Sequence, residues 1–244
     1  MQTRRSNTQA GFSLMELIIS MAITIFIMAL ATTILARAFN ARSREDRKSD
    51  AIADVQRALN IMTREISNAG LKLPSGLAAV STNGVVGNDS NNQSLRFVSN
   101  LNGMPDSANG FAEDSDVLDT DEDIKFLMYM DAALDQRYLV RYEKNGSNKT
   151  TVLANRIDSL IFRYYDEKVT YDTTVDASGN CDITNVKNAS GGVETEVSPG
   201  QAKFVVIAVG VTLPALGVAG TESYQPPSQV QLTSDVVLRN SIVY

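Results

Sequence analysis

Gly11-Phe12-Ser13-Leu14-Met15-Glu16-Leu17 opens the stretch that decides the fold, and an uncharged, largely apolar run continues it from Leu17 to Ala36. That run is 20 residues long, and at about 1.5 Å per residue it spans roughly 30 Å, the hydrocarbon thickness of a bilayer. It contains neither Gly nor Pro, so nothing in it interrupts a helix. The residues before it are polar, and basic through Arg4 and Arg5. A secretory signal would have a shorter apolar core followed by a small-residue cleavage site. Here Ala29-Leu30-Ala31 lies inside the run, and Ala36-Arg37-Ala38 follows a core that is too long. A twin-arginine export signal needs apolar residues closer behind Arg4 and Arg5 than the sequence provides. An ordinary signal anchor explains the length and leaves Glu16 unexplained.

Glu16 separates these readings. A carboxylate at the bilayer centre costs about 2.5–3.5 kcal/mol on insertion scales, so an intramembrane acid points to function. One turn into the helix it can still reach water at the interface, which accounts for its being tolerated but not for its position. Gly11-Phe12-Ser13-Leu14-Met15-Glu16-Leu17, followed by the apolar helix, resembles the cleavage and methylation motif of type IV prepilins and pseudopilins. The resemblance implies that a prepilin peptidase cuts after Gly11 on the cytoplasmic side and that Phe12 becomes an N-methylated amino terminus. It also implies that Glu16 neutralises the Phe12 amine of a neighbouring subunit. Two buried opposite charges compensate each other only where they meet, so such a pair holds subunits in axial register.

One feature runs against this orientation. Arg37, Arg42, Arg44, Arg47 and Lys48 follow the apolar run, whereas the leader offers Arg4, Arg5 and the amino terminus. Counting positive charges alone would place the wrong end in the cytoplasm, and Glu45, Asp46 and Asp50 contribute little to that rule.

Composition narrows the function classes. The 244 residues suffice for an anchor and one medium domain, with 43% apolar residues and a net charge of -6. The acidic balance argues against direct nucleic-acid binding, which needs clustered Lys and Arg. There is no His and no Trp, and Cys181 is the sole cysteine. The usual nucleophile–histidine triads, imidazole bases and thiolate zinc cages are thereby excluded, and no phosphate-cradling glycine loop is present. The expectation is a structural subunit, not an enzyme.

No proline lies between Phe12 and Ala69. Ile52, Val55, Leu59, Met62, Ile66 and Ala69 recur at spacings of three and four, one apolar stripe along a helix that Gly70 is placed to terminate. A coiled-coil seam would need more heptads, so the stripe is expected to pack on the protein's own sheet. The segment from Gln56 to Gly70 resembles PilW-type minor pilins and the J-type minor pseudopilins of type II secretion, and the ending Leu238-Arg239-Asn240 resembles them weakly. The chain divides into a leader at 1–11, a membrane or filament-core helix at 12–36, the amphipathic half of that helix at 37–70, and a β-rich head at 71–244. Strands are expected at Leu95–Ser99, Ile124–Met130, Tyr138–Glu143, Thr151–Leu153, Leu160–Tyr165, Phe204–Leu213 and Val230–Leu238, with turns at Asn145-Gly146 and Pro226-Pro227 and a polar loop from Asp166 to Ala202. This makes an α+β pilin fold, a long N-terminal helix packed on an antiparallel sheet.

Asp114, Asp116, Asp119, Asp121, Glu122 and Asp123 form an acidic run. Asp119, Asp121 and Asp123 alternate like the start of an EF-hand loop, but Ile124 stands where that loop needs Gly and Met130 where it needs Glu. A solvated acidic loop is the expectation, with a calcium site of another kind as the alternative and no other cofactor. Cys181 is expected in the polar loop as an incidental thiol, or else as one half of an intermolecular bridge. The resemblance implies an inner-membrane protein with a single span and a periplasmic head. Its implied partners are the prepilin peptidase, the assembly platform and other minor and major pilins. Three roles follow: a minor pilin that primes filament assembly, a minor pseudopilin of type II secretion, or a binding module at a filament tip.

Overall fold

The computed structural model describes residues 13–73, 77, 79–101, 117–145, 148–175, 180–213, 215–217, 219–221 and 224–241. Among these residues one α-helix, α1 (Leu14–Ile66), precedes nine strands: β1 (Ser94–Val98), β2 (Asp123–Asp131), β3 (Gln136–Glu143), β4 (Thr150–Asn155), β5 (Ser159–Tyr165), β6 (Val169–Val175), β7 (Cys181–Asn188), β8 (Phe204–Leu213) and β9 (Ser228–Val237). All pairings are antiparallel, in a sheet of order β1-β2-β3-β4, a sheet of order β5-β8-β9 and the hairpin β6-β7. The expected α+β architecture of one long helix against antiparallel sheet is therefore present.

The apolar stripe does what its period requires. Val55, Ala58, Leu59, Met62 and Ile66 are buried on one face of α1, which packs against β4, β8 and β9 instead of against another helix. They share one core with Leu95 and Phe97 of β1, Phe126 of β2 and Leu160 and Phe162 of β5. The Phe97 and Phe126 rings lie 5.9 Å apart.

The helix ends at Ile66, a turn earlier than the stripe alone suggests. Ser67 turns its hydroxyl onto the Arg64 carbonyl, and the Asn68 and Ala69 N–H groups bond to Glu65 and Ile66. Gly70 then adopts φ +78° and donates its N–H to the Val98 carbonyl. Gly84, at φ +81°, lies against it so closely that a Cβ there would stand 1.9 Å from the Gly70 nitrogen. Two glycines thus let backbone meet backbone where the helix joins the head. Asn240 completes the join by donating to the Ala69 carbonyl at 2.9 Å.

The expected polar loop from Asp166 to Ala202 is corrected: it contains the hairpin β6-β7. Phe204, Val206 and Ala208 of β8 form a second core with Tyr165, Val169, Cys181 and Ile183, while the alternate residues Val205, Ile207 and Val209 face the main core. β8 is covered on both faces, which explains its unbroken apolar sequence. Cys181 is 2% exposed and packs beside Gly210 and Ser159. A bridge from it to another chain would require the hairpin to lift off.

Two outcomes are expected. In the folded full-length chain, Cys181 resists maleimide, and it reacts at the rate of a free thiol once urea unfolds the head. Gly84→Ala lowers the urea-unfolding free energy by at least about 2 kcal/mol, because both φ and the Gly70 backbone oppose a side chain.

Candidate functional site

The N-terminal half of α1 has no cover within the described chain. Leu14, Ile18, Met21, Ile25, Phe26, Leu30, Ile34 and Phe39 are all exposed, Leu14 at 77%. Continuous burial begins only around Ala51 and Ile52, and below Arg44, which reaches the head through Gln225 and Pro226, residues 14–43 project about 45 Å. The first part of α1 is apolar and long enough to cross a membrane, with a mean hydropathy of 2.4.

Its polar side chains are satisfied locally. The hydroxyls of Ser20, Thr24, Thr32 and Thr33 donate to the carbonyls of Leu17, Ser20, Met28 and Leu30 at 2.7–2.9 Å. Folded back this way, they present little polarity to an apolar solvent. Glu16 is different. Ser13 caps the helix from an extended conformation, its carbonyl accepting from the Glu16 and Leu17 N–H groups, and the carboxylate stands in the first turn. That is the positive end of the helix dipole, which favours an acid. Among the described residues Glu16 makes no ion pair. The first base beyond it on the helix, Arg37, lies 21 residues on, about 31 Å away. Gly11 and Phe12 lie outside the described residues.

The acidic run divides between two arginines. Asp123 receives both Nε and Nη2 of Arg96, at 2.8 and 2.7 Å, while Asp89 pairs with Arg96 and with Lys125. Asp121 instead faces Arg141, whose Nε donates to Glu65 of α1 at 2.8 Å and whose Nη1 lies 3.6 Å from Glu143. Arg141 therefore fastens the helix to the β2–β3 side of the head. Glu122 accepts from the Leu101 and Asp119 N–H groups. Among the described residues no three acids converge as a cation would require, and Asp119, Asp121 and Asp123 are not brought to one point. Asp114 and Asp116 lie outside the described residues.

One feature escaped the sequence reading. β2 and β3 set Tyr129 opposite Tyr138 and Lys125 opposite Tyr142. Tyr129 and Tyr142, with Leu127 and Val140, line a trough of about 640 Å³ on the outer face of the first sheet, with Arg96, Lys125 and Lys144 at one end. The period-two alternation over 125–129 and 138–142 held this signal, but only pairing places the tyrosines on one face.

Residues 6–32 match the family model of the prokaryotic N-terminal methylation motif. The match takes in Gly11, Phe12 and Glu16, and it supports a type IV pilin or pseudopilin whose N-terminal helix anchors it to a membrane. No curated protein and no solved structure matches the chain.

A pH dependence follows from the Arg96 cluster. Burial alone would raise the Asp89 pKa, but Lys125 and Arg96 outweigh it and hold the carboxyl below its usual 3.8. A depressed acid contributes stability above its unfolded pKa and loses it as pH falls through the lower folded value. The head should therefore lose melting temperature as pH drops below about 3.8, and Asp89→Asn should flatten that part of the profile.

Proposed function

We propose that the protein is a minor pilin of PilW type, which prepilin peptidase cuts after Gly11 and which enters the initiation or tip complex of a type IV pilus. The observation that carries this is the uncovered apolar helix with one acid in its first turn, running without a break into a large head. The helix rests in the inner membrane as a single span with the head on the periplasmic side. During assembly it moves from lipid into a bundle of like helices, the change of apolar cover that its surface suits.

In this reading, cleavage at Gly11 creates the amine that Glu16 needs. Each Glu16 meets the methylated Phe12 amine of the next subunit, so both charges enter the apolar interior as a pair. A subunit out of step would bury two lone charges at a cost of several kcal/mol. The pairing therefore selects one stagger. The partners are prepilin peptidase, the assembly platform and other pilins. Cleavage after Gly11 on the cytoplasmic side requires the basic residues from Arg37 to Lys48 to lie on the head side, against the charge count.

The same chemistry suits a minor pseudopilin of type II secretion, and loss of secretion with normal piliation on gene deletion would favour that machine. The tyrosine trough favours a contact role for the head at a filament tip.

Mass spectrometry of the chain from native membranes is expected to show an N-methylated Phe12 terminus. Glu16→Ala should leave cleavage intact and lower recovery in sheared filaments by tenfold or more. A terminus at Met1, or one after Ala31 or Ala38, would overturn the proposal.

A further inference from the structure

β9 is an edge of the second sheet, and among the described residues no strand pairs with its outer side. Its ten residues pair with β8 in unbroken register, from Phe204 opposite Val237 to Leu213 opposite Ser228. Just past that ladder the Leu238 N–H donates to the Lys203 carbonyl, which sets the phase: bonded pairs fall on the even-numbered residues of β9. The backbone N–H and C=O groups of Gln229, Gln231, Thr233, Asp235 and Val237 therefore point away from β8, and among the described residues they meet no hydrogen-bond partner. Natural proteins blunt so long an edge with Lys, Pro or a bulge, or cover it. β9 contains no Lys, no Pro and no bulge, and its one charge, Asp235, accepts from the Tyr171 hydroxyl. The other edges are managed. On β1, Arg96 accepts from the Val86 N–H and Val98 donates to the Gly84 carbonyl, Phe162 of β5 donates to Asn92, and β4 is six residues long beside a bulge at Leu139 and Val140.

β9 runs in the same direction as α1. Arg44 meets Gln225 and Pro226 just before the strand, the Thr63 and Ser234 hydroxyls lie 3.0 Å apart along it, and Asn240 meets Ala69 just after it. A groove of about 530 Å³ lies between α1 and the last residues of the edge, and Arg64 and Arg239 both line it. Both are exposed, and neither has an ion-pair partner among the described residues. We infer that β9 is a docking edge, to which an extended segment of a different subunit adds as a fourth strand and sets an acid beside Arg64 and Arg239. The free backbone groups specify an extended chain as the occupant, and the two arginines specify its charge. The edge is read from the head alone, whereas the origin of the strand in another subunit of the assembly rests on the pilin reading above. A second copy does not bring its own β9 antiparallel to this one. Because β9 parallels α1, the two anchors would then point in opposite directions and not into one membrane.

The test is hydrogen exchange on the full-length chain, first purified in detergent and then recovered within sheared filaments. In detergent the amides of Gln229, Gln231, Thr233, Asp235 and Val237 should exchange at the rate of open amides, while their even-numbered neighbours are protected by β8. Within filaments the five should slow by tenfold or more. Thr233→Pro removes one outward N–H and leaves the β8 ladder whole. It should lower recovery in filaments about tenfold with the melting temperature of the head unchanged. Arg64→Glu with Arg239→Glu, at exposed positions outside the strand, should lower recovery as well, which keeps the test decisive if the proline variant unfolds. Slow exchange of the five amides in detergent, equally fast exchange in filaments, or full recovery of the folded variants overturns the inference. So does association of two differently tagged copies in detergent that Thr233→Pro abolishes, since the occupant is then a second copy. A terminus found at Met1 would instead remove the pilin reading, and with it the origin of the strand, while the open edge would still be read from exchange in detergent.

Discussion

An apolar helix surface that the chain itself does not cover is the constraint on which everything else depends. Between Leu14 and Phe39 more than a dozen large apolar side chains are exposed. At about 1.5–3 kcal/mol for each that leaves water, their burial is worth on the order of 20 kcal/mol or more. The whole stability of a domain is about 5–15 kcal/mol. No adjustment of the head can offset such a surface in water, so the helix must lie in lipid or among other helices. Its hydroxyls already turn inward onto the backbone, which leaves Glu16 as the charged group at the start of this surface.

The same helix is the spine of the head. Its apolar stripe enters the main core, Arg141 ties Glu65 to the acidic turn at Asp121 and to Glu143, and Gly70, Gly84 and Asn240 lock its end. Force applied along the anchor passes into the core through these contacts, not through a flexible linker. Arg44 adds a further hold below, on the loop before β9. Anchor and head are therefore joined by one continuous helix that packs into the main core.

Much of this was legible in the residues, because period and length are local properties. The 3-4 spacing from Ile52 to Ala69 gave the buried face of α1, and seven strands appear close to their expected places. The hairpin β6-β7 was missed because Thr170, Asp172, Thr173 and Thr174 are polar and exposed along most of β6. The clue lay elsewhere, in β8, whose apolar residues on both faces demanded a second cover. Nor could spacing show that Asp121 and Asp123 turn to different arginines, since Arg96 and Arg141 come from distant strands. The tyrosine trough likewise required the β2–β3 pairing to be known. For the N-terminal site, the motif and the apolar run were readable together, and the structure adds that no residue described in the chain supplies the counter-charge for Glu16.

The most direct measurement is alkaline carbonate extraction of the full-length chain from cells that form no filaments. If the uncovered helix is held by lipid, the chain stays in the membrane pellet and is released only by detergent. Recovery of the intact chain in the carbonate supernatant, with the segment from Leu14 to Phe39 still attached, would contradict the account.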